Sequence, residues 1–343
     1  MAERYDNLDG LRVIACLGII AMHIKANASY VLPSVFDDVV GSFTHFVPLF
    51  LIISGFGMFC GYYTRLKNNN IDLDSFYSKR YKKLLPFFAT LILIDIIVDQ
   101  SFEHIIEGFT EATLVFALLP NNELDVIGVS WTLGVIFLFY MLFPFIVYLC
   151  WTPKRACVTF VLSMILSLFC SFYFFTDKYV IADFTHRHNF LYCAPWFLSG
   201  GVTYLYRGKI KEFISRYRLA WLCLCVFLTV SYYVVPVNIP LVPKLLIVFW
   251  PWLIYSISVE SRILSNSVMK YLSGISLELY LAQMVIFRGV EKLHGLYILG
   301  NGLLGFMTTC LFVVGSLIVF IEVWKYLERF VMEMFTMEAT CRN

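Results

Sequence analysis

Stretches of about twenty mostly apolar residues recur along the whole chain, and they constrain its fold more than any other feature. Each stretch is long enough to cross a hydrocarbon core of about 30 Å at a helical rise of about 1.5 Å per residue. Hydrocarbon offers no hydrogen-bond partner to the backbone, so these stretches are expected to be helical. Hydrophobic residues make up 60% of the chain and charged residues 15%, whereas a soluble domain has nearer a quarter charged. The sequence therefore predicts an all-α integral membrane protein.

The apolar stretches predict about ten transmembrane helices in a single polytopic domain that covers residues 1–343. Asp95 and Asp99 are expected to interrupt the third helix, and a short proline-rich turn is expected to join the seventh to the eighth. The predicted spans are 11–28, 41–63, 84–100, 129–150, 157–175, 190–206, 219–236, 241–259, 273–289 and 299–323.

Lysine and arginine residues are unevenly divided between the two sets of connecting segments. Basic residues accumulate on the cytoplasmic side of membrane proteins. If the N-terminus is cytoplasmic, the inside segments hold 20 of the 26 Lys and Arg residues, and the outside segments hold the other six. This bias predicts that both the N-terminus and the C-terminus are cytoplasmic.

Net charge and cysteine spacing argue against two other classes of site. The formal net charge is +2, which gives no indication of a nucleic-acid partner. The ten cysteines mostly fall inside predicted spans and lack the spacing of metal ligands. No metal site, disulfide framework or nucleic-acid interface is expected, and nothing in the sequence indicates an oligomeric state.

Two ionisable residues of the first span are candidates for chemistry, because charged groups in transmembrane helices are costly and usually face a protein interior. Arg12 and His23 are eleven residues apart, which places both on one helix face, about 16 Å apart along the axis. Such a pair suits a substrate that enters from inside and reacts deep in the membrane. Two alternatives stay open: Arg12 as an ordinary basic anchor, and His23 as a histidine hydrogen-bonded within a helix interface.

Short motifs follow one another in order from residue 8 to about residue 283. They are Leu8–Ala15 followed by His23, His45–Phe56, Arg80–Pro86, Trp131–Leu133 with Phe139–Pro144, Phe197–Gly201, and Ser276 with Tyr280 and Leu281. This ordered set resembles the acyltransferase-3 family, whose signature is an Arg or Lys, ten residues and then a His. The segment around Ser54 resembles the family's VPLFF-x-x-SGF pattern, and the segment around Arg80 resembles its RxxR-L-x-P pattern.

Three residues depart from the family's pattern. Ile136 and Phe137 follow the tryptophan motif at places where the family often has acidic residues, and Gln283 stands where its late span often ends in His. A glutamine both donates and accepts hydrogen bonds, but it cannot act as a base. The resemblance therefore does not extend to proton transfer by these groups.

The resemblance implies a membrane O-acyltransferase that moves an acyl group, commonly acetyl from cytoplasmic acetyl-CoA, to a hydroxyl acceptor. We expect the acceptor to be a surface or exported polysaccharide, or its lipid-linked precursor, in a bacterial cytoplasmic membrane; acetyl and succinyl donors both stay open. The phosphates of an acyl-CoA need cations, and Arg12, Arg80 and Lys83 are expected to supply them. Ser54 is expected to line the acyl path.

His23 is expected to act as the general base for the acceptor hydroxyl, or to relay the acyl group, because an imidazole ordinarily titrates near pH 6.5. His45, near the outer end of the second span, is expected to orient His23 or to contact the acceptor. Asp95 and Glu278 are buried acids, and either could orient His23. The outer segment Asp183–His188 has the polar and aromatic composition of a sugar site, although such a segment is more often a solvated loop.

Two other functional classes share these features. A transporter or flippase for a polar lipid or small molecule would also have many spans and buried charges, although the chain lacks the repeated halves of many transporters. A family relative that serves as a membrane sensor would explain the departures at Ile136, Phe137 and Gln283. Transfer of a labelled acyl group distinguishes all three.

Overall fold

The computed structural model describes residues 4–119, 124, 126–180, 184–236 and 238–341, without the side chains of 332 and 335–341. Within these residues the chain is helical and contains no β-strand, as the apolar stretches predict. The α-helices are α1 Asn7–Asn27, α2 Ser34–Ser42, α3 Phe46–Met58, α4 Thr64–Lys67, α5 Leu73–Val98, α6 Phe102–Ala112, α7 Trp131–Met141, α8 Phe143–Leu149, α9 Pro153–Phe169, α10 Phe190–Val234, α11 Leu241–Ser258, α12 Ser267–Gly274, α13 Ser276–Lys292 and α14 Leu303–Cys341.

Among the described residues, six helical runs are long and apolar enough to cross a membrane, and α7 with α8, which meet at a bend of 56°, would form a seventh. The count of about ten spans and the cytoplasmic termini therefore stay predictions. The six runs are Asn7–Asn27, Ser34–Lys67, Pro153–Phe174, Phe190–Val234, Leu241–Ser258 and Leu303–Val331.

Two predicted boundaries differ from the structure. The predicted spans 190–206 and 219–236 lie on either side of a break at Tyr217 (φ −122°, ψ 29°), where two helices run together in α10. The first of these helices continues through the basic segment beyond residue 206. The sequence predicted an interruption at Asp95, but α5 continues through Asp95 and ends at Val98. The half-buried Asp95 carboxylate lies 3.0 Å from His104 Nδ1 of α6, so this acid is paired without a break in the helix.

The core is organised around α1 and around the pair formed by α3 and α10. Helix α1 contacts α2, α3, α11, α12, α13 and α14. Helices α3 and α10 pack backbone against backbone, because a Cβ atom at Gly55 would overlap the Phe197 carbonyl and one at Gly200 would overlap the Ile52 carbonyl. Small residues permit this approach between membrane helices. Two of the sequence motifs, those containing Gly55 and Gly200, therefore have a packing role.

A buried carboxyl group fixes the turn that leads into α7. Glu111 of α6 is fully buried, and its Oε1 accepts hydrogen bonds from Ser130 Oγ (2.7 Å) and from the Ile127 amide (3.3 Å). Its Oε2 has no hydrogen-bond partner among the described residues. Helix α6 lies outside the predicted spans, and burial raises the pKa of Glu111 to about 8.

We expect Gly200→Ala to destabilise the protein by about 1–3 kcal/mol, because the new methyl group must push α3 away from α10. The measurement is thermal unfolding of the purified protein in detergent. Gly208→Ala, on the same helix, is the matched control, since a Cβ there meets nothing within 4 Å. Alanine favours helix over glycine, so the control should be neutral or slightly stabilising. Equal stability of both variants would contradict the contact.

The pKa of Glu111 predicts a pH dependence of stability. The folded-state pKa of about 8 lies above the ordinary value of 4.5, so the folded protein binds more protons between these values and becomes less stable as the pH rises through them. Glu111→Gln should reduce the fall in melting temperature between pH 6 and pH 8.5. Glu103→Gln, at an exposed position of the same helix, should leave that fall unchanged. A fall of the same size in Glu111→Gln would show that another group titrates.

Candidate active site

A cavity of about 360 Å³, here called the central cavity, lies among α1, α3, α5, α7 and α13. It brings together four of the residues that the sequence assigned to the donor. We call the end of the bundle where its cations lie the basic end, and the opposite end the His45 end. The charged and polar side chains that face the cavity include Arg12, Ser54, Arg80, Lys83, Tyr140 and Glu278.

Arg80 is held in the central cavity by aromatic rings. Its guanidinium carbon lies 4.3 Å from the ring centre of Tyr62, 5.3 Å from that of Tyr140 and 5.8 Å from that of Phe76. Cation–π contacts of this kind orient a guanidinium without neutralising its charge. The Arg80 Nε is buried and has no hydrogen-bond partner among the described residues. A buried donor left in this state is suited to an anionic ligand.

Arg12 is positioned by an acid of its own motif. Its Nη1 lies 3.6 Å from Asp9 Oδ1, one turn away on α1. Ser273 Oγ donates a 2.7 Å hydrogen bond to the same carboxylate oxygen, and Arg4 Nη2 lies 3.1 Å from the other oxygen. Asp9 therefore links α1 to α12 and restrains Arg12 beside the cavity. Asp9 lies within the first motif, but no local pattern indicates its role, because its partner Ser273 is 264 residues away.

Lys83, Glu278 and Ser54 complete the polar wall of the central cavity. The charges of Arg12, Arg80 and Glu278 all act on Lys83, so these four groups form one electrostatic cluster with three cations and one acid. Ser54 Oγ lies 3.1 Å from the hydroxyl oxygen of Tyr140. The sequence suggested that Glu278 could orient His23, but the structure places Glu278 among the cations of the basic end.

His23 lies beyond the central cavity, and its partner is Gln283 of α13. His23 Nδ1 is 3.0 Å from Gln283 Oε1, while Gln283 Nε2 donates a 2.8 Å hydrogen bond to the carbonyl of Tyr280. A carbonyl only accepts, so the amide nitrogen must face Tyr280 and the amide oxygen must face His23. His23 Nδ1 therefore carries the proton, and Nε2 keeps its lone pair in the neutral ring. Gln283, a departure from the family pattern, thus selects the tautomer.

Two hydroxyl groups of the central cavity are hydrogen-bonded to each other. The hydroxyl oxygens of Tyr280 and Thr132 are 2.8 Å apart, and both residues face the cavity. Along α13, Glu278 lies at the basic end, Tyr280 forms the wall, and Gln283 follows three residues later beside His23. Charged groups, hydroxyl groups and the imidazole are therefore arranged in that order from the basic end.

His45 and Asp95 are not brought to His23 by any hydrogen bond that the structure describes. His45 Nδ1 lies 2.6 Å from the hydroxyl oxygen of Tyr232, at the rim of a separate apolar cavity of about 330 Å³. Asp95 is paired with His104, as described above. The suggestion that Asp95 could orient His23 is therefore not supported by this geometry, and a contact of His45 with the acceptor stays a prediction.

The segment before α10 contributes an aromatic and basic cluster at the His45 end. The His188 ring stacks on Trp131 at 4.6 Å, and the Arg187 guanidinium lies 5.1 Å from the same indole. Arg187 Nη1 also donates to Thr44 Oγ1 at 3.2 Å. The cluster adjoins Thr132, the residue after Trp131. Asp183, which the sequence grouped with these residues, lies outside the described part of the chain.

The two residues that replace the family's acidic positions have different surroundings. Ile136 faces the central cavity, whereas Phe137 is buried, with its ring 4.8 Å from that of Tyr81. An acid at 136 would face the cations of the cavity, and one at 137 would be buried against an aromatic ring. The replacements therefore leave the cluster of the basic end more positive and its surroundings apolar.

Comparison with known proteins identifies the family of the chain. Residues 5–323 match the family model described as an acyltransferase domain, acyltransferase-3. The chain belongs to the acyltransferase-3 family. Membership identifies it as a membrane-bound acyltransferase in general terms. An uncharacterised protein of Haemophilus influenzae is 26% identical over 184 residues, which cover 47% of this chain and 74% of that protein. No solved structure matches the chain.

We expect Gln283→Leu to lower the rate of acyl transfer about tenfold or more, because His23 loses the acceptor that holds its ring and tautomer. The Michaelis constant for the acyl donor should change little, since the cations expected to bind it, Arg12, Arg80 and Lys83, lie in the central cavity and not beside Gln283. Gln283→His, which can still accept from His23, should recover part of the rate. Gln100→Leu at an exposed position is the matched control. A parallel change in both constants, or none, would contradict a positioning role.

Proposed function

We propose that the protein transfers an acetyl group from acetyl-CoA, bound at the basic end, to a hydroxyl of a surface or exported polysaccharide or of its lipid-linked precursor. In this proposal ten helices span a bacterial cytoplasmic membrane, both termini are cytoplasmic, and the basic end faces the cytoplasm. The uneven division of the 26 Lys and Arg residues supports this orientation. Acetyl is proposed before succinyl because it is the commoner donor in the family that the sequence resembles.

The observation that carries the proposal is the convergence of Arg12, Arg80 and Lys83 on one cavity in an otherwise apolar bundle. A membrane anchor needs only to reach water or lipid headgroups, whereas Arg80 is enclosed by three rings with its Nε buried. Enclosing an unpaired cation is costly unless an anion completes the site. The phosphates of a coenzyme provide that anion, and Arg binds them in a forked geometry that Lys83 cannot supply.

The polar wall of Tyr280 and Thr132 lies where the thioester of such a donor would arrive. Beyond the charged cluster, the cavity is lined by apolar side chains such as Phe50 and Leu133, which suit an uncharged pantetheine arm. The Tyr280 and Thr132 hydroxyls are hydrogen-bond donors, and either could contact the thioester carbonyl once their mutual bond opens. Ser54 is held by Tyr140 and lines the approach.

His23 would receive the acceptor proton on Nε2, since Gln283 occupies Nδ1. The acceptor hydroxyl oxygen attacks the thioester carbonyl carbon, the bond from that carbon to sulfur breaks, and the hydroxyl proton passes through His23 to the departing sulfur. No other reactant is consumed. In an alternative route, the lone pair of His23 Nε2 attacks the thioester carbonyl carbon, and the acetyl group then moves from the imidazole to the hydroxyl. The two routes differ in whether a labelled protein forms without acceptor.

The acceptor is proposed to approach from the His45 end. His23 is not among the residues that line the central cavity, so a hydroxyl could reach it without passing the donor cations. Trp131, Arg187 and His188 form an aromatic and basic surface next to Thr132. Aromatic faces and forked donors are the usual partners of sugar rings and their hydroxyl groups. His45 would contact the acceptor from the neighbouring rim.

Membrane vesicles with the basic end outward, supplied with acetyl-labelled acetyl-CoA, test the proposal. We expect label in the glycan or lipid-linked fraction, and His23→Asn should lower this transfer by about a hundredfold or more. His294→Asn, at an exposed loop position, is the matched control and should keep full activity. Succinyl-CoA in a parallel sample identifies the acyl group.

Three results would contradict the proposal. Label that enters the vesicles in soluble form, with no acylated product, would indicate a transporter. Binding of acyl-CoA with neither transfer nor transport would indicate a sensor. Full transfer by His23→Asn would contradict the proposed role of His23, although the protein would still be an acyltransferase.

A further inference from the structure

A second pocket, of about 350 Å³, lies at the basic end between α5, α13 and α14. Four cations from two distant parts of the chain face it, with two carboxylates, so its net charge is positive. Basic residues that only anchor separate helices at the membrane surface need not converge on one concave site. The charged residues of this second pocket are Lys82, Lys83, Lys325, Arg329, Glu278 and Glu328.

The second pocket adjoins the central cavity. Lys83 and Glu278 face both spaces, so the two spaces are neighbours on either side of these two side chains. The central cavity alone, at about 360 Å³, is near the lower end of the range of about 300–1,000 Å³ for small-molecule sites. An acyl-CoA has a narrow pantetheine arm and, at the far end, a bulky phosphorylated nucleotide. The nucleotide therefore needs room outside the central cavity.

The walls of the second pocket suit a phosphorylated purine nucleoside. Trp324 is fixed by a 3.1 Å hydrogen bond from its Nε1 to Thr90 Oγ1, and its ring lies 4.9 Å from that of Phe87 at an interplanar angle of 84°. Flat aromatic surfaces of this kind stack on nucleobases. Lys325 is steadied by Glu322, 3.2 Å away, and Arg329 Nε donates to the Lys325 carbonyl. These contacts hold Lys325 and Arg329, which are one turn apart on α14, beside the second pocket.

We propose that the second pocket binds the phosphorylated nucleotide of the acyl-CoA donor, with Lys82, Lys325 and Arg329 on its phosphates and Trp324 beside its base. The pantetheine arm then passes Lys83 into the central cavity. This assignment rests on the proposed function, because it takes acyl-CoA as the donor. It gives α14, which carries none of the sequence motifs, a part in donor selection.

Binding of free coenzyme A to the purified protein, followed by calorimetry, tests the pocket without acceptor or turnover. The double variant Lys325→Gln/Arg329→Gln should weaken coenzyme A binding about tenfold or more, because two charged contacts to phosphate are lost. Its binding of pantetheine, which lacks the nucleotide, should stay within about twofold of the wild type. The charge-conserving variant Arg329→Lys should retain most of the affinity.

The matched control is Arg262→Gln/Lys270→Gln, which removes the same two charges at exposed positions outside the pocket. It should bind coenzyme A as the wild type does, which separates a local contact from a change in overall charge. Equal weakening in both double variants, or equal loss of coenzyme A and pantetheine in the first, would overturn the pocket. Wild-type binding of coenzyme A without acyl transfer would contradict the proposed function but not the pocket, whereas no binding at all would overturn both.

Discussion

The backbone contact between α3 and α10 at Gly55 and Gly200 determines the position of the wall against which the rest of the site is assembled. Ser54, next to Gly55, faces the central cavity and reaches Tyr140 of α7. Helix α1 packs on α3 as well and carries Arg12 and His23. Because helices this close cannot slide past each other without steric overlap, the cations of the central cavity and the imidazole of His23 keep a fixed relation.

The polar groups of the site follow the cost of placing charge in an apolar bundle. Arg12 and Arg80 lie at the basic end, where Asp9 offsets Arg12 and aromatic rings surround Arg80. The middle contains the neutral hydroxyl groups of Tyr280 and Thr132. His23, which can be neutral, lies beyond them. From the basic end towards His23, charged groups that need solvation therefore give way to neutral groups that are hydrogen-bonded within the protein.

Sequence patterns predicted the helices and the residues of the central cavity well, but they did not predict the hydrogen bonds around His23. Apolar length predicts a helix because lipid permits little else, and ordered motifs placed Arg12, Ser54, Arg80 and Lys83 in what proved to be one cavity. The tautomer of His23 depends on Gln283, 260 residues away, and no local pattern encodes that contact. Charge alone likewise could not show that Glu278 would lie with the cations instead of with His23.

The hydroxyl pair of Tyr280 and Thr132 has a consequence for the membrane itself. A thioester and its acceptor come from opposite ends of the bundle in the proposed reaction, and an open passage between them would also conduct water and protons. In that reaction, the 2.8 Å bond between these two uncharged side chains would interrupt such a passage without placing a charge in the apolar bundle. An enzyme built in this way could transfer an acyl group while the ion gradients across the membrane persist.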